Sequence, residues 1–296
     1  MKPPLVISAM LLAGLALGSG ISRADTLQKI AASNRMTVSY REAAVPFSYV
    51  VGGDHIMGFA VDLTQAVIDD VRKQLGRPDL PVAYIPVTGQ NRIPLLVNGS
   101  YDLECGSTTN NVARNKEVAF SINYFYAGTR VLVNKAANIR SYADLAGKAV
   151  ATTAGSTNEK VIRQYSEQHA LGMQWLPAKD YADSLALLES GRAAAVALDD
   201  ILLYGLRANA ANPAALEVVG DTLQVEPYAC MLRKDDPAFK ALVDGAIAKL
   251  MQSGRFARLY HYWFETAIPP KGTVLAMPMS DALKANLKTM SDKPER

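Results

Sequence analysis

Five places in this 296-residue chain set polar or charged side chains directly behind short apolar runs that read as strands. Arg41 follows Met36–Tyr40, and Gln90-Asn91-Arg92 follows Val82–Val87. Gly106-Ser107-Thr108-Thr109, with Arg114 shortly after, follows Tyr101–Cys105. Gly155-Ser156-Thr157 follows Lys148–Thr153, and Asp199-Asp200 follows Ala194–Leu198. Ligands of open α/β sheets bind beyond the carboxyl ends of the strands, so residues in these positions can converge from separate loops. Each also has a plainer use alone: an arginine as solvated surface charge, a Ser or Thr as a helix N-cap, Asp199 as the cap of a helix entered at Ile201. Together, three arginines and one aspartate suit a small ligand with two carboxylates and one ammonium. A guanidinium fork grips a carboxylate through two parallel hydrogen bonds, which lysine cannot do. The free N–H groups of a helix opening at Thr157 add a second anion cradle. Residue types alone leave open which arginine serves which carboxylate.

The chain offers little for catalysis. Its three histidines, His55, His169 and His261, lie far apart and make no metal-ligand spacing. Cys105 and Cys230 have no CxxC partner, and neither G-x-S-x-G nor a P-loop occurs. Glu104 and Glu117 are carboxylates of the right type for a general acid, but no second carboxylate is paired with either in sequence. No metal and no cofactor is called for. Two rivals to a binding protein stand beside it. One is a secreted dehydratase or lyase on the same scaffold, with Glu104 or Tyr181 as acid/base group; the other is a ligand-sensing module.

The elements that must carry these residues alternate between strand and helix. After Met36–Tyr40 comes a loop, Arg41–Tyr49, and then a helix with Leu63, Val67, Val71 and Leu75 on one face and Gly76 past its end. Asn91–Asn98 reads as a helix with Pro94 in its first turn and Gly99 as its stop. Tyr124–Val133 is a β-branched and aromatic run long enough to leave one sheet and enter another. Ser141-Tyr142-Ala143-Asp144 has capping-box spacing. Met173–Leu176, Leu216–Val219 and Tyr228–Leu232 read as further strands, Leu185–Ser190 as part of a helix that Gly191 ends. From Pro237 a helical pattern carries Leu242, Ile247 and Leu250 inward. This alternation predicts α/β layers around a mostly parallel sheet. The tail after Pro269-Pro270 is polar and either wraps the fold or frays.

Residues 1–24 stand apart from the fold. Lys2 supplies a positive start, Leu5–Gly18 is apolar, and Ser22-Arg23-Ala24 ends in small-x-small, which together describe a secretory signal peptide. The apolar run falls short of the roughly 20 residues a span requires. Without Lys2 and Arg23 the formal net charge falls from +3 to about +1, which argues against nucleic acid as a partner. Secretion delivers Cys105 and Cys230 to an oxidising compartment, where an even count favours a disulfide over two buried thiols.

Three runs carry a resemblance: Arg41-Glu42 with Val45-Pro46-Phe47-Ser48-Tyr49, Gln90-Asn91-Arg92-Ile93-Pro94-Leu95-Leu96, and Glu104-Cys105-Gly106-Ser107-Thr108-Thr109-Asn110-Asn111. It continues through Leu188-Glu189-Ser190-Gly191-Arg192-Ala193, Cys230-Met231-Leu232-Arg233-Lys234-Asp235-Asp236-Pro237 and Ile268-Pro269-Pro270. Through these the chain resembles the periplasmic glutamate/aspartate-binding proteins of bacterial ABC transporters, within solute-binding protein family 3, over nearly its whole length. The resemblance implies two α/β lobes joined by two hinge strands, the type II-like periplasmic binding protein fold. Lobe one would be 25–126 plus 227–296, and lobe two 127–226, placing both cysteines in lobe one, as a disulfide between them requires. It implies that Ser107, Thr109, Arg114 and Thr157 hold the α-carboxylate, Asp199 the ammonium, and Arg41 and Arg92 the side-chain carboxylate. It further implies a monomer in the periplasm that hands an acidic amino acid to a membrane ABC permease. Two positions depart from the family pattern: Gly89 stands where a serine is common and Tyr181 where a histidine is usual. Gly89 removes a hydroxyl donor, and Tyr181 supplies a hydroxyl but no positive charge, which puts the choice between glutamate, aspartate and a related compound in doubt.

Overall fold

The computed structural model describes residues 25–294, so the signal read over 1–24 lies outside the described residues. Two sheets, each flanked by helices, form two lobes. The first runs in the order Val82–Pro86, Met36–Tyr40, Leu103–Glu104, Met231–Arg233, Val118–Phe120. The second runs Gln174–Ala178, Ala149–Thr153, Ala195–Asp199, Phe125–Asn134, Leu216–Val219. Half of the parallel expectation holds. The first three strands of each order are parallel, and the rest pair antiparallel. The antiparallel strands belong to segments that pass between the lobes or return from them, so they enter without the helical crossover a parallel pair requires.

Phe125–Asn134 and Val225–Tyr228 carry the chain across and pair antiparallel with each other, Tyr228 opposite Phe125. Tyr228–Leu232, expected as one strand, is two: Ala229 and Cys230 form a step between Val225–Tyr228 and Met231–Arg233. Cys230 is disulfide-bonded to Cys105 at that step, 125 residues away in sequence.

Lobe one is held by apolar helix faces. Phe59–Leu75 buries Leu63, Val67 and Val71, while Leu75 lies at the margin, and the helix ends at Gly76 in the left-handed region with its N–H on the Arg72 and Lys73 carbonyls. Asp236 caps Pro237–Gln252, which packs on that helix and buries Phe239, Val243, Ile247 and Leu250. Leu242, expected inside, is only partly buried. Each such apolar side chain contributes about 1.5–3 kcal/mol relative to exposure. Phe47, Phe59, Phe125, Tyr228 and Phe264 pack edge-to-face and stacked around the root of the crossing strands. The tail wraps rather than frays. Its helix Asp281–Thr289 places the Asn286 amide on the Asn123 carbonyl, and Asn110 and Asn123 donate to the Asp292 and Lys293 carbonyls.

The disulfide closes a loop that contains all of lobe two, so replacing Cys105 and Cys230 together by alanine lowers unfolding free energy by about 2–4 kcal/mol. Urea denaturation of the double variant against its parent measures this, and an unchanged midpoint contradicts it.

Candidate functional site

The five strand ends chosen from sequence meet where the lobes face each other. Arg41 leaves the first strand with its backbone pinned: its N–H donates to Ser48 Oγ at 2.9 Å, and that hydroxyl donates back to the Arg41 carbonyl. The guanidinium is 3% exposed and lies 4.7 Å above the ring centroid of Tyr181, a cation–π contact between lobes. Tyr181 opens helix Tyr181–Glu189, whose N-cap is Asp180. Its hydroxyl is 3.1 Å from Ser107 Oγ.

Arg92 opens helix Arg92–Val97 and is 2% exposed. It donates through Nη1 to Thr108 Oγ1, and that hydroxyl donates to Glu104 Oε2 at 2.7 Å. Arg92 Nε and Glu104 Oε1 are buried without a partner. Arg114, in the 3-10 turn Arg114–Lys116, donates to the Thr109 carbonyl at 2.9 Å and across the lobes to the Gly155 carbonyl at 3.2 Å. Burial, and then the Arg92 charge, lower its pKa to about 10, which leaves it charged at neutral pH.

Thr157 opens helix Thr157–Gln168, capped by Ser156. Asp199 occupies the N-cap position of helix Asp200–Asn209 but makes no side-chain cap. Capping falls to Asp200, whose carboxylate accepts from the Ile201 and Gly128 N–H groups. Asp199 is thereby free to face inward, accepting from Asn158 Nδ2 at 2.9 Å and from the Tyr228 hydroxyl. Burial holds its carboxyl well above the usual range, and the nearby Glu226 charge pushes the same way.

All eight residues chosen from sequence, Arg41, Arg92, Ser107, Thr109, Arg114, Thr157, Tyr181 and Asp199, therefore belong to one connected region. Sequence reasoning missed Glu226. It sits on the crossing strand Val225–Tyr228, fully buried, and its Oε2 accepts from the hydroxyls of Thr109 and Thr157, one from each side of the cleft. A threonine hydroxyl has one proton to give. With both given to Glu226, these hydroxyls turn lone pairs toward anything else and cannot also donate to a ligand carboxylate. Glu226 Oε1 is buried and unpartnered. Asn158 and Tyr228, which orient Asp199, were missed as well. The signal for Glu226 was a lone acid in the short apolar run Val225-Glu226-Pro227-Tyr228. The charge balance is thus three guanidiniums against three carboxylates, Glu104, Asp199 and Glu226, instead of three against one.

The three histidines are exposed and away from this region. Among the described residues no group of three or more His, Cys, Asp or Glu could hold a metal, and no helix is long and apolar enough to cross a membrane.

The sequence profile described as bacterial extracellular solute-binding proteins, family 3, matches residues 36–266. A glutamate/aspartate import solute-binding protein of Escherichia coli is 45% identical over 94% of this chain and 95% of its own. An L-glutamate/L-aspartate-binding protein of Pseudomonas aeruginosa is 45% identical over 90% of this chain and 89% of its own. Among solved structures, a mutant of ArgBP from T. maritima superposes with a TM-score of 0.71 at 27% identity, covering 81% of this chain and 99% of that one.

Burial raises the Glu226 pKa, against the lowering effect of Thr109, Thr157, Arg114 and Arg92. A carboxyl with a folded pKa above its unfolded value, about 4.3 for glutamate, holds its proton more tightly when folded. The protein then loses stability as pH rises from that value through the folded one. In unliganded protein, the stability of Glu226→Gln relative to its parent accordingly climbs as pH rises above about 4. Chemical denaturation at stepped pH reads this difference, and a constant difference contradicts it.

Proposed function

Because the chain belongs to the bacterial extracellular solute-binding proteins of family 3, we propose that it captures an acidic amino acid, glutamate or aspartate, between its lobes in the periplasm and delivers it to an ABC permease. In this reading lobe one comprises 25–126 with 227–296, lobe two 127–226, and the protein works as a monomer. The observation that carries it is the burial of the Arg41 and Arg92 guanidiniums on the same face as Arg114 and Asp199. Among the described residues neither guanidinium forms a direct ion pair: Arg92 reaches Glu104 only through Thr108, and Arg41 meets the ring of Tyr181, so a distal carboxylate would give both the anion contact they lack. The two curated relatives named for glutamate and aspartate support the same ligand class.

The roles divide by chemistry. Arg41 and Arg92 face the distal carboxylate, with Tyr181 and Ser107 closing around the Arg41 end. Arg114 and the N-terminal N–H groups of the Thr157 helix take the α-carboxylate. Asp199 takes the ammonium. Thr109 and Thr157, their protons engaged by Glu226, serve best as acceptors on the ammonium side. That revises the expectation that their hydroxyls grip the carboxylate. The relatives are binding proteins of import systems and not enzymes.

Asp199→Ala removes the ammonium's counter-charge and lowers L-glutamate affinity at least 100-fold, in line with about 3–5 kcal/mol for breaking a buried pair. Asp200→Ala removes a helix cap, costs about 1 kcal/mol of stability and leaves affinity within about threefold. Calorimetric titration of both variants separates these outcomes, and equal losses overturn the assignment of Asp199.

A further inference from the structure

Two glycines sit where the lobes touch, and neither is required by its own backbone. Gly89 and Gly205 both have φ outside the left-handed region, so alanine is conformationally acceptable at each. What excludes a side chain is the opposite lobe. A Cβ on Gly89 would stand 2.6 Å from the carbonyl oxygen of Ala154, and a Cβ on Gly155 would in turn stand 2.6 Å from the Gly89 carbonyl. A Cβ on Gly205, in helix Asp200–Asn209, would run into the carbonyl of Val45, in the loop that follows Arg41. In both cases the obstacle is main chain, which cannot rotate away as a side chain would.

We propose that Gly89 and Gly205 set the depth to which the two lobes close, and hence whether the site's cross-lobe contacts can form at all. This rests on the reading that a ligand is enclosed between the lobes. Relief of either clash moves one lobe back by about 1 Å, the gap between 2.6 Å at Gly89 or 2.3 Å at Gly205 and ordinary van der Waals contact. The hydrogen bonds that span the cleft have no such slack: Arg114 to the Gly155 carbonyl is already 3.2 Å and Ser107 to Tyr181 3.1 Å. Another ångström takes each beyond hydrogen-bond range. Gly89, read from sequence as a missing hydroxyl donor, is thus also a vacated volume: with a serine there the lobes of this chain would close less far.

The test uses Gly89→Ala and Gly205→Ala in the full mature protein. Neither residue is strained in its own lobe, so unliganded melting temperature stays at the parent's value for Gly89→Ala and equals or exceeds it for Gly205→Ala, since alanine favours a helix interior over glycine. L-glutamate affinity by calorimetry falls at least tenfold in each. Parent-like affinity in both variants overturns the proposal, and so does a loss that merely tracks a lowered melting temperature. Nitroxide labels on exposed Lys73 and Glu167, one per lobe, give a ligand-independent reading. The shortest separation seen in the parent disappears in both variants, and an unchanged distribution overturns the proposal. If the parent binds no acidic amino acid, the functional reading fails while these distances still decide the closure claim.

Discussion

Keeping two guanidiniums, Arg41 and Arg92, and three carboxylates out of water governs the rest of this architecture. Each ion would cost several kcal/mol to bury alone, so the others are relayed or hydrogen-bonded while Arg41 rests on the Tyr181 ring. Arg92 reaches Glu104 through Thr108; Asp199 is met by Asn158 and Tyr228; Glu226 collects two threonine hydroxyls. What stays unsatisfied is as informative. Arg92 Nε, Glu104 Oε1 and Glu226 Oε1 are left without partners in the region assigned to ligand. A ligand carrying both signs of charge can supply what these groups lack, whereas an apolar one cannot.

No single sheet could assemble this set, because its members come from the ends of strands in both sheets. The two-lobed build solves that problem with a division of stiffness. Lobe one is bound to the roots of the crossing strands by the aromatic cluster around Phe47, by the disulfide at Cys230 and by the C-terminal tail on Asn123. Lobe two brings Tyr181, Thr157 and Asp199 against that base. Ligand can favour the closed arrangement only through contacts available there and nowhere else. Those contacts are the ones that Glu226 and the two lobe-facing glycines regulate, one through proton direction and the others through distance.

Much of this was legible in the sequence, for identifiable reasons. Arg41, Arg92 and Asp199 stand directly behind apolar runs, and strand polarity alone places such residues at one end of a sheet. Tyr124–Val133 was too long for one sheet, which pointed to the crossing strand. Glu226 was hidden because an acid within a short apolar run carries no sign of whether it faces solvent or core. Asp199 and Asp200 are adjacent acids at a helix start, and only geometry reveals that the second caps while the first faces inward. The antiparallel strands escaped notice because hydrophobic patterning gives strand existence, not direction. Gly89 and Gly205 have ordinary dihedrals, so nothing local marks them; their neighbours are 66 and 160 residues away, Gly155 and Val45.

In the proposed function, buried guanidiniums select a doubly carboxylated guest. The direct measurement is a thermal-shift comparison of L-glutamate and L-aspartate with L-glutamine and L-asparagine, ligands alike in shape but lacking the distal charge. At 100 times its dissociation constant a ligand stabilises by about 2.7 kcal/mol. The acids are expected to raise the melting temperature, and the amides at equal concentration hardly to do so. A larger shift with the amides would contradict that selection.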